Sequence, residues 1–349
     1  MPRAGNLNWA ASLEIVLSMN KHELTQGAST ASRRDALIGS ASTPRTKVCL
    51  VAGWSRSGTT IIGRILGQLN GFIDVGELMF LWQSLEIDGW RCGCGERLTD
   101  CRFWKSVATQ SNNTVAGSRE ITRFWRSSAR LRHVPKLWWF NSRPAPVVAG
   151  ERTLATVYRE IAANSSARVI VDTSKTPAYA LIAKQVPEVD VYVLHIVRDP
   201  RAVAYSWLRP RPSASGITGD EFESCSTSRS AVHWVGNNVA LATFVRRAVR
   251  ADHYLRIRYE DFASEPRIVT LRIVNFLGER VTDTPFESER SVRLAPTHTA
   301  SGNPARFRNG LVDIVPDEQW RTELPQSARR KTLALAGSLM PAMGYNPLR

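Results

Sequence analysis

A loop able to hold a phosphate is the clearest sign of chemistry in this sequence. It spans residues 53–60, GWSRSGTT, after an apolar run and before a helical pattern of isoleucines and leucines. Between a strand and a helix, the N–H groups of such a loop converge on an anion at the positive end of the helix. Loops that hydrolyse nucleotides carry a lysine before the final Ser or Thr. Here Thr59 takes that place and the cation lies upstream, at Arg56, which argues against a P-loop kinase.

Cations also follow two later runs that read as buried strands. Lys175 comes just after one of them, and Arg198 directly follows the next. In parallel α/β sheets, ligands bind at the carboxyl ends of the strands. We therefore expect Arg56, Lys175 and Arg198 to share one edge of a sheet and to bind an anion-rich ligand there.

The elements that must position these residues alternate along the chain. Alternation of strands and helices predicts an α/β, three-layer fold with a central parallel sheet and a P-loop-like phosphate-binding loop. The predicted strands cover residues 48–52, 168–172, 191–197 and 254–258, and helical patterns cover 154–163, 228–250 and 266–277. Residues 1–46, rich in Ser, Thr, Ala and Asn, are expected to form a flexible tail before one domain of residues 47–349.

These residues resemble the sulfotransferase family that uses 3′-phosphoadenosine 5′-phosphosulfate (PAPS). The segment Arg56-Ser57-Gly58-Thr59-Thr60 is similar to the family's 5′-phosphosulfate loop. Residues 197–207, VRDPRAVAYSW, are similar to its 3′-phosphate segment, in which an Arg ends a strand and a Ser follows eight residues later. Arg198 and Ser206 have that spacing.

Two weaker segments agree with the resemblance. Residues 258–262, RYEDF, are similar to a segment whose Tyr, here Tyr259, lies against the adenine. Residues 302–310, GNPARFRNG, resemble a late loop that folds over the 3′-phosphate, and either Arg306 or Arg308 would make that contact.

The resemblance implies transfer of a sulfonate from PAPS to an acceptor hydroxyl without a metal. Arg56, the loop N–H groups and the hydroxyls of Ser57, Thr59 and Thr60 would stabilise the charge that grows on the departing phosphate. Lys175 is the best candidate to contact the bridging oxygen or the sulfonate.

The general base is expected to be Glu77. Many cytosolic members of the family have a His two residues after a Lys comparable to Lys175, but here that residue is Pro177. Members that act on carbohydrates or on protein tyrosine resemble this chain more closely, because they use a Glu after the first helix. His298 is the second choice of base, and His195 is expected to be a buried core residue.

Two aromatic segments, residues 80–104 and 124–140, are predicted to line the acceptor pocket, as part of lid insertions at about 80–150. Their rings suit sugars or lipids, although the same composition is typical of core packing. A carbohydrate or glycolipid hydroxyl is therefore the first expectation for the acceptor, and a small phenol is the second.

The formal net charge is +15 and the pI is about 10.2. Such an excess predicts an anionic partner: a phosphorylated small molecule, an acidic membrane surface touched peripherally, or nucleic acid. The arginines are spread along the chain rather than gathered in one tail, so we expect no nucleic acid, although a non-catalytic binding module stays an alternative. The apolar segment 7–19 is interrupted by Glu14, so we expect no signal peptide or anchor and a cytoplasmic protein.

Three cysteines form a separate cluster, Cys92, Cys94 and Cys101. Three thiolates could begin a zinc site, but the sequence shows no fourth ligand nearby, since the nearest downstream histidine is His133. A disulfide or redox pairing is the alternative, although it would leave an odd cysteine. A reduced structural loop is the preferred interpretation, and no metal is expected.

Overall fold

The computed structural model describes residues 45–110, 115–139, 145–209 and 225–348, and the strands in these ranges build one parallel sheet of five strands and one hairpin. Residues 1–44 lie outside the described residues, and they include most of the predicted tail and the segment 7–19. Phe140 of the predicted acceptor segments also lies outside them. Pro44–Arg349 form one compact unit.

Five strands form the central sheet: β1 (Thr46–Ala52), β2 (Phe72–Gly76), β3 (Val169–Lys175), β4 (Val189–Val197) and β5 (Tyr254–Arg258). Their order in the sheet is β2-β3-β1-β4-β5, and all neighbours are parallel. The four predicted strands are confirmed as β1, β3, β4 and β5, with bounds that differ by at most three residues from the predicted ones. The remaining strand, β2, occupies one edge and was missed.

Helices cover both faces of the sheet. The described α-helices of four or more residues are α1 (Thr59–Leu66), α2 (Leu81–Glu86), α3 (Arg102–Gln110), α4 (Val115–Ser128), α5 (Val134–Trp139), α6 (Ala145–Ser165), α7 (Pro177–Ala183), α8 (Pro200–Leu208), α9 (Thr227–Ala240), α10 (Tyr259–Ser264), α11 (Pro266–Phe276), α12 (Trp320–Glu323) and α13 (Gln326–Ala336). The predicted pattern at 228–250 is interrupted, because α9 passes into a π-helical turn, Leu241–Val245.

The side chains of β1 alternate between two apolar cores. Val48 and Leu50 pack in the core that also holds Leu154 of α6, whereas Cys49 and Val51 pack in the core that holds Ile62 of α1. A strand of a parallel sheet is buried on both faces in this way. The predicted three-layer α/β fold is confirmed.

A late segment extends the sheet beyond β2. The Ala300 N–H donates to the Val75 carbonyl (2.9 Å), and the Glu77 N–H donates to the Ser301 carbonyl (3.0 Å). This segment belongs to the loop of a hairpin formed by β6 (Ser291–Leu294) and β7 (Gly310–Asp313). The residues directly after β2 are therefore held from both sides.

Among the described residues, no helix has the length and apolar character that a membrane span requires.

The buried carboxyl of Asp74 on β2 makes the stability of the fold depend on pH. Burial raises the pKa of Asp74 from 3.8 to about 7, although its hydrogen bond from the Gly76 N–H and the charge of Arg64 act in the opposite direction. Between these two pH values the folded chain keeps a proton that the unfolded chain releases. The contribution of Asp74 to the free energy of unfolding is therefore lost as the pH rises from about 4 to about 7.

We predict that Asp74→Asn removes this dependence. The free energy of unfolding of the wild type should fall relative to that of the variant as the pH rises through this range, as measured by urea denaturation at several pH values. The exposed Asp283→Asn serves as the control and should follow the wild type. Parallel profiles of wild type and Asp74→Asn would show that folding does not raise the pKa of Asp74.

Candidate active site

The loop after β1 presents its backbone toward one sheet edge because of two left-handed residues. Gly58 has a φ of 87° and precedes α1, and Arg56 has a φ of 71°. Ser57 and Thr59 are buried, and α1 has no acidic residue in its first turn. The N-terminus of α1 therefore keeps its uncompensated positive end for an anion.

Arg198 at the end of β4 connects the loop to the residue predicted to lie against adenine. Its Nη1 donates to the Arg56 carbonyl (3.0 Å), and its guanidinium lies over the Tyr259 ring, 4.6 Å from the centroid. Tyr259 in turn packs on Gly58, where an added Cβ would lie 2.3 Å from the ring. Four residues predicted to bind the nucleotide therefore form one continuous set of contacts.

An acidic residue that sequence reasoning missed occupies the other side of Arg198. The Arg198 Nη2 donates to the Asp317 carboxylate (3.0 Å), and Arg209 lies 3.8 Å from the same oxygen. Ser206 is buried on α8. The Asp199 side chain caps this helix by accepting from the Arg201 N–H, and Pro200 lies in its first turn. An anion that binds Arg198 must therefore compete with a carboxylate.

The predicted base and the predicted lysine meet at the same sheet edge. Glu77 directly follows β2 and Lys175 ends β3, and the Lys175 Nζ donates to the Glu77 Oε1. Each side chain is only 12% exposed. Lys175 has a φ of 59°, and its carbonyl accepts from the Gly53 N–H at the start of the loop (3.1 Å). This ion pair is therefore tied to the phosphate-binding loop.

The residues after Lys175 begin helix α7, and the place of the family's histidine is taken by Pro177. Pro177 occupies the first turn of α7, and the Thr176 hydroxyl accepts from the Tyr179 N–H to cap the helix. A proline is well suited to a first helical turn, because the N–H that it lacks would have no partner there. The residue thus begins a helix rather than supplying a base.

Of the two late-loop candidates, Arg306 is fully buried and Arg308 is exposed. Arg306 donates to the carbonyls of Thr299 (2.9 Å) and Arg91 (2.6 Å). Burial lowers its pKa to about 10, while nearby negative groups, including Glu77, act in the opposite direction. Arg306 therefore supports the segment beside Glu77, and Arg308 is the cation that a ligand can reach.

Neither His195 nor His298 has the surroundings that a general base requires. His195 is fully buried between the Tyr254 hydroxyl (2.7 Å) and the Asn238 side chain (2.8 Å), and burial lowers its pKa to about 4. It is the core residue expected. His298, the second choice of base, instead turns its Nδ1 toward the Cys101 sulfur at 3.4 Å.

Three of the large rings in the predicted acceptor segments belong to the core. Trp82, Trp104 and Trp125 are buried, so core packing, the alternative interpretation, holds for them. Trp138 and Trp139 on α5 are exposed, and Trp139 reaches 75% exposure. Phe140 lies outside the described part of the chain. The exposed tryptophans of the predicted acceptor segments therefore lie on α5.

A sequence model of the Sulfotransferase family matches residues 49–283, about two thirds of the chain. The chain belongs to the sulfotransferase family. The match begins in β1 and includes the loop, Glu77, Lys175, Arg198 and Tyr259. No curated protein matches this sulfotransferase-family chain significantly.

Three solved structures are similar to this family member. The sulfotransferase domain of the Synechococcus PCC 7002 olefin synthase is 20% identical, with a TM-score of 0.46, over 85% of this chain and 94% of that one. The sulfotransferase domain from the curacin biosynthetic pathway is 17% identical, with a TM-score of 0.46, over 85% and 98%. A sulfotransferase from Alicyclobacillus acidocaldarius is 16% identical, with a TM-score of 0.38, over 86% and 99%.

We predict that Gly58→Ala destabilises the fold more than a left-handed backbone alone explains. Gly310 is the matched control, because it has the same φ of 87° with no neighbouring atom within 4 Å of an added Cβ. Gly310→Ala should cost about 1–2 kcal/mol for the backbone. Gly58→Ala should cost more, because its methyl group would overlap Tyr259.

The free energy of unfolding of both variants is measured by urea denaturation. Equal losses would mean that Tyr259 moves aside freely and does not constrain the loop.

Proposed function

We propose that this chain transfers a sulfonate from PAPS to the hydroxyl of an acceptor. The observation that supports it best is the meeting of Glu77 and Lys175 at one sheet edge, tied by the Lys175 carbonyl to the phosphate-binding loop. A cation and a carboxylate at that place supply what sulfonate transfer needs: charge stabilisation for the leaving phosphate and a proton acceptor for the hydroxyl.

We place the nucleotide beside Arg198, which contacts both the loop and Tyr259. We assign Arg198 and the Ser206 hydroxyl to the 3′-phosphate, because a guanidinium binds a phosphate with two parallel hydrogen bonds. Tyr259 offers its ring to the adenine. Arg308, exposed in the late loop, is assigned to the 3′-phosphate in preference to the buried Arg306.

The 5′-side of the donor is assigned to the loop. Arg56, the N–H groups around Gly58 and the hydroxyls of Ser57, Thr59 and Thr60 would hold the phosphosulfate. Lys175 carries three N–H donors, so it can keep Glu77 in place and still donate to the sulfonate or the bridging oxygen. Glu77 then accepts the acceptor's proton as the oxygen attacks sulfur and the phosphate leaves.

A P-loop kinase is the less favoured alternative. Thr59 stands where the lysine of a nucleotide-hydrolysing loop would contact the β- and γ-phosphates. The cations of this edge instead lie at Arg56, Lys175 and Arg198, which suits a donor with separate 5′ and 3′ anionic groups.

For the acceptor we propose a carbohydrate or glycolipid hydroxyl first and a small phenol second. A glutamate base is the feature shared with the carbohydrate-directed side of the family, and the exposed Trp138 and Trp139 offer flat apolar faces on which a sugar ring can pack. We propose no nucleic-acid partner, and a peripheral contact with an acidic membrane would suit the net charge of +15. The cytoplasmic location stays a prediction from the sequence.

Removing either partner of the Arg198–Asp317 ion pair should change the affinity for the product nucleotide, 3′-phosphoadenosine 5′-phosphate, in opposite directions. Arg198→Ala should weaken its binding about ten- to a hundredfold, the loss expected for a charged hydrogen bond. Asp317→Asn should tighten binding several-fold, because the carboxylate no longer competes for the guanidinium. Titration calorimetry measures both affinities.

The control for this pair is Asp313→Asn, an exposed aspartate on β7 that should leave the affinity unchanged. Mg²⁺–ATP is titrated in parallel and should bind much more weakly than the 3′-phosphorylated nucleotide. Preference for Mg²⁺–ATP would favour a kinase, and weaker nucleotide binding by Asp317→Asn would exclude competition by the carboxylate.

Turnover tests the assignment of Glu77. We predict that wild type moves radiolabelled sulfonate from PAPS to at least one member of a panel of sugars, glycolipids and phenols, with the product identified by mass. Glu77→Gln should lower kcat about a hundredfold or more, as expected for loss of a general base, while nucleotide affinity stays unchanged. The exposed Glu265→Gln is the control. Full activity of Glu77→Gln would remove Glu77 from the role of base.

A further inference from the structure

Four metal-binding side chains converge from two distant parts of the chain. Cys92, Cys94 and Cys101 come from the segment between α2 and α3, and His298 comes from the loop between β6 and β7. Their ligand atoms all lie within 4.8 Å of one another. No disulfide joins any of the chain's cysteines, all of which lie in described ranges. The fourth ligand that the sequence did not show nearby is therefore His298.

We propose that these four residues form a structural zinc site. Zinc bound at about 2.3 Å to sulfur and about 2.0–2.1 Å to nitrogen in a tetrahedron separates its ligands by about 3.6–3.8 Å. The Cys94 and Cys101 sulfurs lie 3.8 Å apart, and the His298 Nδ1 lies 3.4 Å from the Cys101 sulfur and 3.9 Å from the Cys92 sulfur. These three separations are close to those of a tetrahedron built around one ion, and no two of the four ligand atoms lie more than 4.8 Å apart.

The cysteine segment is folded into a turn that presents its sulfurs together. The Gly95 N–H donates to the Cys92 carbonyl (2.8 Å), and the Cys92 N–H donates to the Glu96 carbonyl (2.9 Å). Gly95 has a φ of 97°. Cys101 follows where the chain enters α3, and its N–H donates to the Arg97 carbonyl (2.9 Å). Backbone hydrogen bonds thus hold the three cysteines in this arrangement.

The histidine is oriented by the first residues of α3. The Phe103 ring stacks on the His298 imidazole, with 4.9 Å between centroids and 17° between planes. The Trp104 Nε1 donates to the His298 carbonyl (2.7 Å). Phe103 and Trp104 follow Cys101 closely in the sequence. Both contacts therefore fix the loop that carries His298 relative to Cys101. Such support is typical of residues that hold a metal ligand in place.

The donor set indicates a structural rather than a catalytic ion. Three sulfurs and one imidazole nitrogen complete a tetrahedral shell and leave no position for a substrate or a water molecule. Three thiolates exceed the charge of Zn²⁺ by one, and the buried guanidinium of Arg306 lies against the backbone of this region, bonded to the Arg91 and Thr299 carbonyls. That cation offsets the excess negative charge.

The site joins the segment between α2 and α3 to the segment that holds Glu77. The Gly93 N–H donates to the Thr299 carbonyl (3.0 Å), and two residues later the Ser301 carbonyl accepts from the Glu77 N–H. Zinc would therefore stabilise the strand-like segment beside β2. Zinc binding at these four side chains is independent of the reaction at the sheet edge.

The test begins with the zinc content of the full-length chain, purified without chelator and measured by plasma mass spectrometry. We expect about one zinc per chain. Cys94→Ser, at the half-exposed ligand, should lose it, and Cys225→Ser, the matched control outside the cluster, should keep it. Replacement by Co²⁺ should give the intense visible absorption of a tetrahedral thiolate site in the wild type and in Cys225→Ser only.

Two results would overturn the proposal. One is a folded wild-type chain that holds no stoichiometric zinc before or after incubation with Zn²⁺. The other is a titration of the denatured, unreduced chain with a thiol reagent that finds three thiols instead of five, because that count would mean a disulfide. A Cys94→Ser variant that fails to fold leaves both wild-type measurements decisive.

Discussion

Parallel pairing of β2 with β3 is the constraint on which the candidate site depends. Because the two strands run in the same direction, their carboxyl ends lie side by side, and the residues that follow, Glu77 and Lys175, come within ion-pair distance. Had β2 paired antiparallel, Glu77 would lie at the opposite edge. The loop after β1 joins them because β1 is the next strand along, and its Gly53 bonds to the Lys175 carbonyl.

A buried carboxyl, that of Asp172, lies beneath the same edge of the sheet. Asp172, at the centre of β3, accepts from the hydroxyls of Tyr158, Tyr179 and Ser174, and burial raises its pKa. A buried carboxyl costs little only when its oxygens are fully hydrogen-bonded. The Ser174 hydroxyl also accepts from the Met79 N–H (2.9 Å), just after Glu77. This network therefore anchors the chain on both sides of the Glu77–Lys175 pair.

The sequence predicted the parts of this molecule that depend on local pattern. Apolar, β-branched runs marked four strands, and the spacing of Arg198 and Ser206 marked the turn from β4 into α8. β2 has five residues, FIDVG, and a buried Asp inside them, so its pattern is weak. His298 lies 197 residues from Cys101, and Asp317 lies 119 residues from Arg198. Such pairings depend on how the β6–β7 hairpin folds back, which no local pattern encodes.

Two of the cations at this edge, Arg56 and Lys175, have a left-handed backbone that costs about 1–3 kcal/mol per residue. The surrounding hydrogen bonds hold that strain in the folded chain. The conformational entropy of these segments is therefore lost during folding and not when a ligand arrives. The backbone of these two segments is therefore preorganised, so that an anion binding there would order little additional chain.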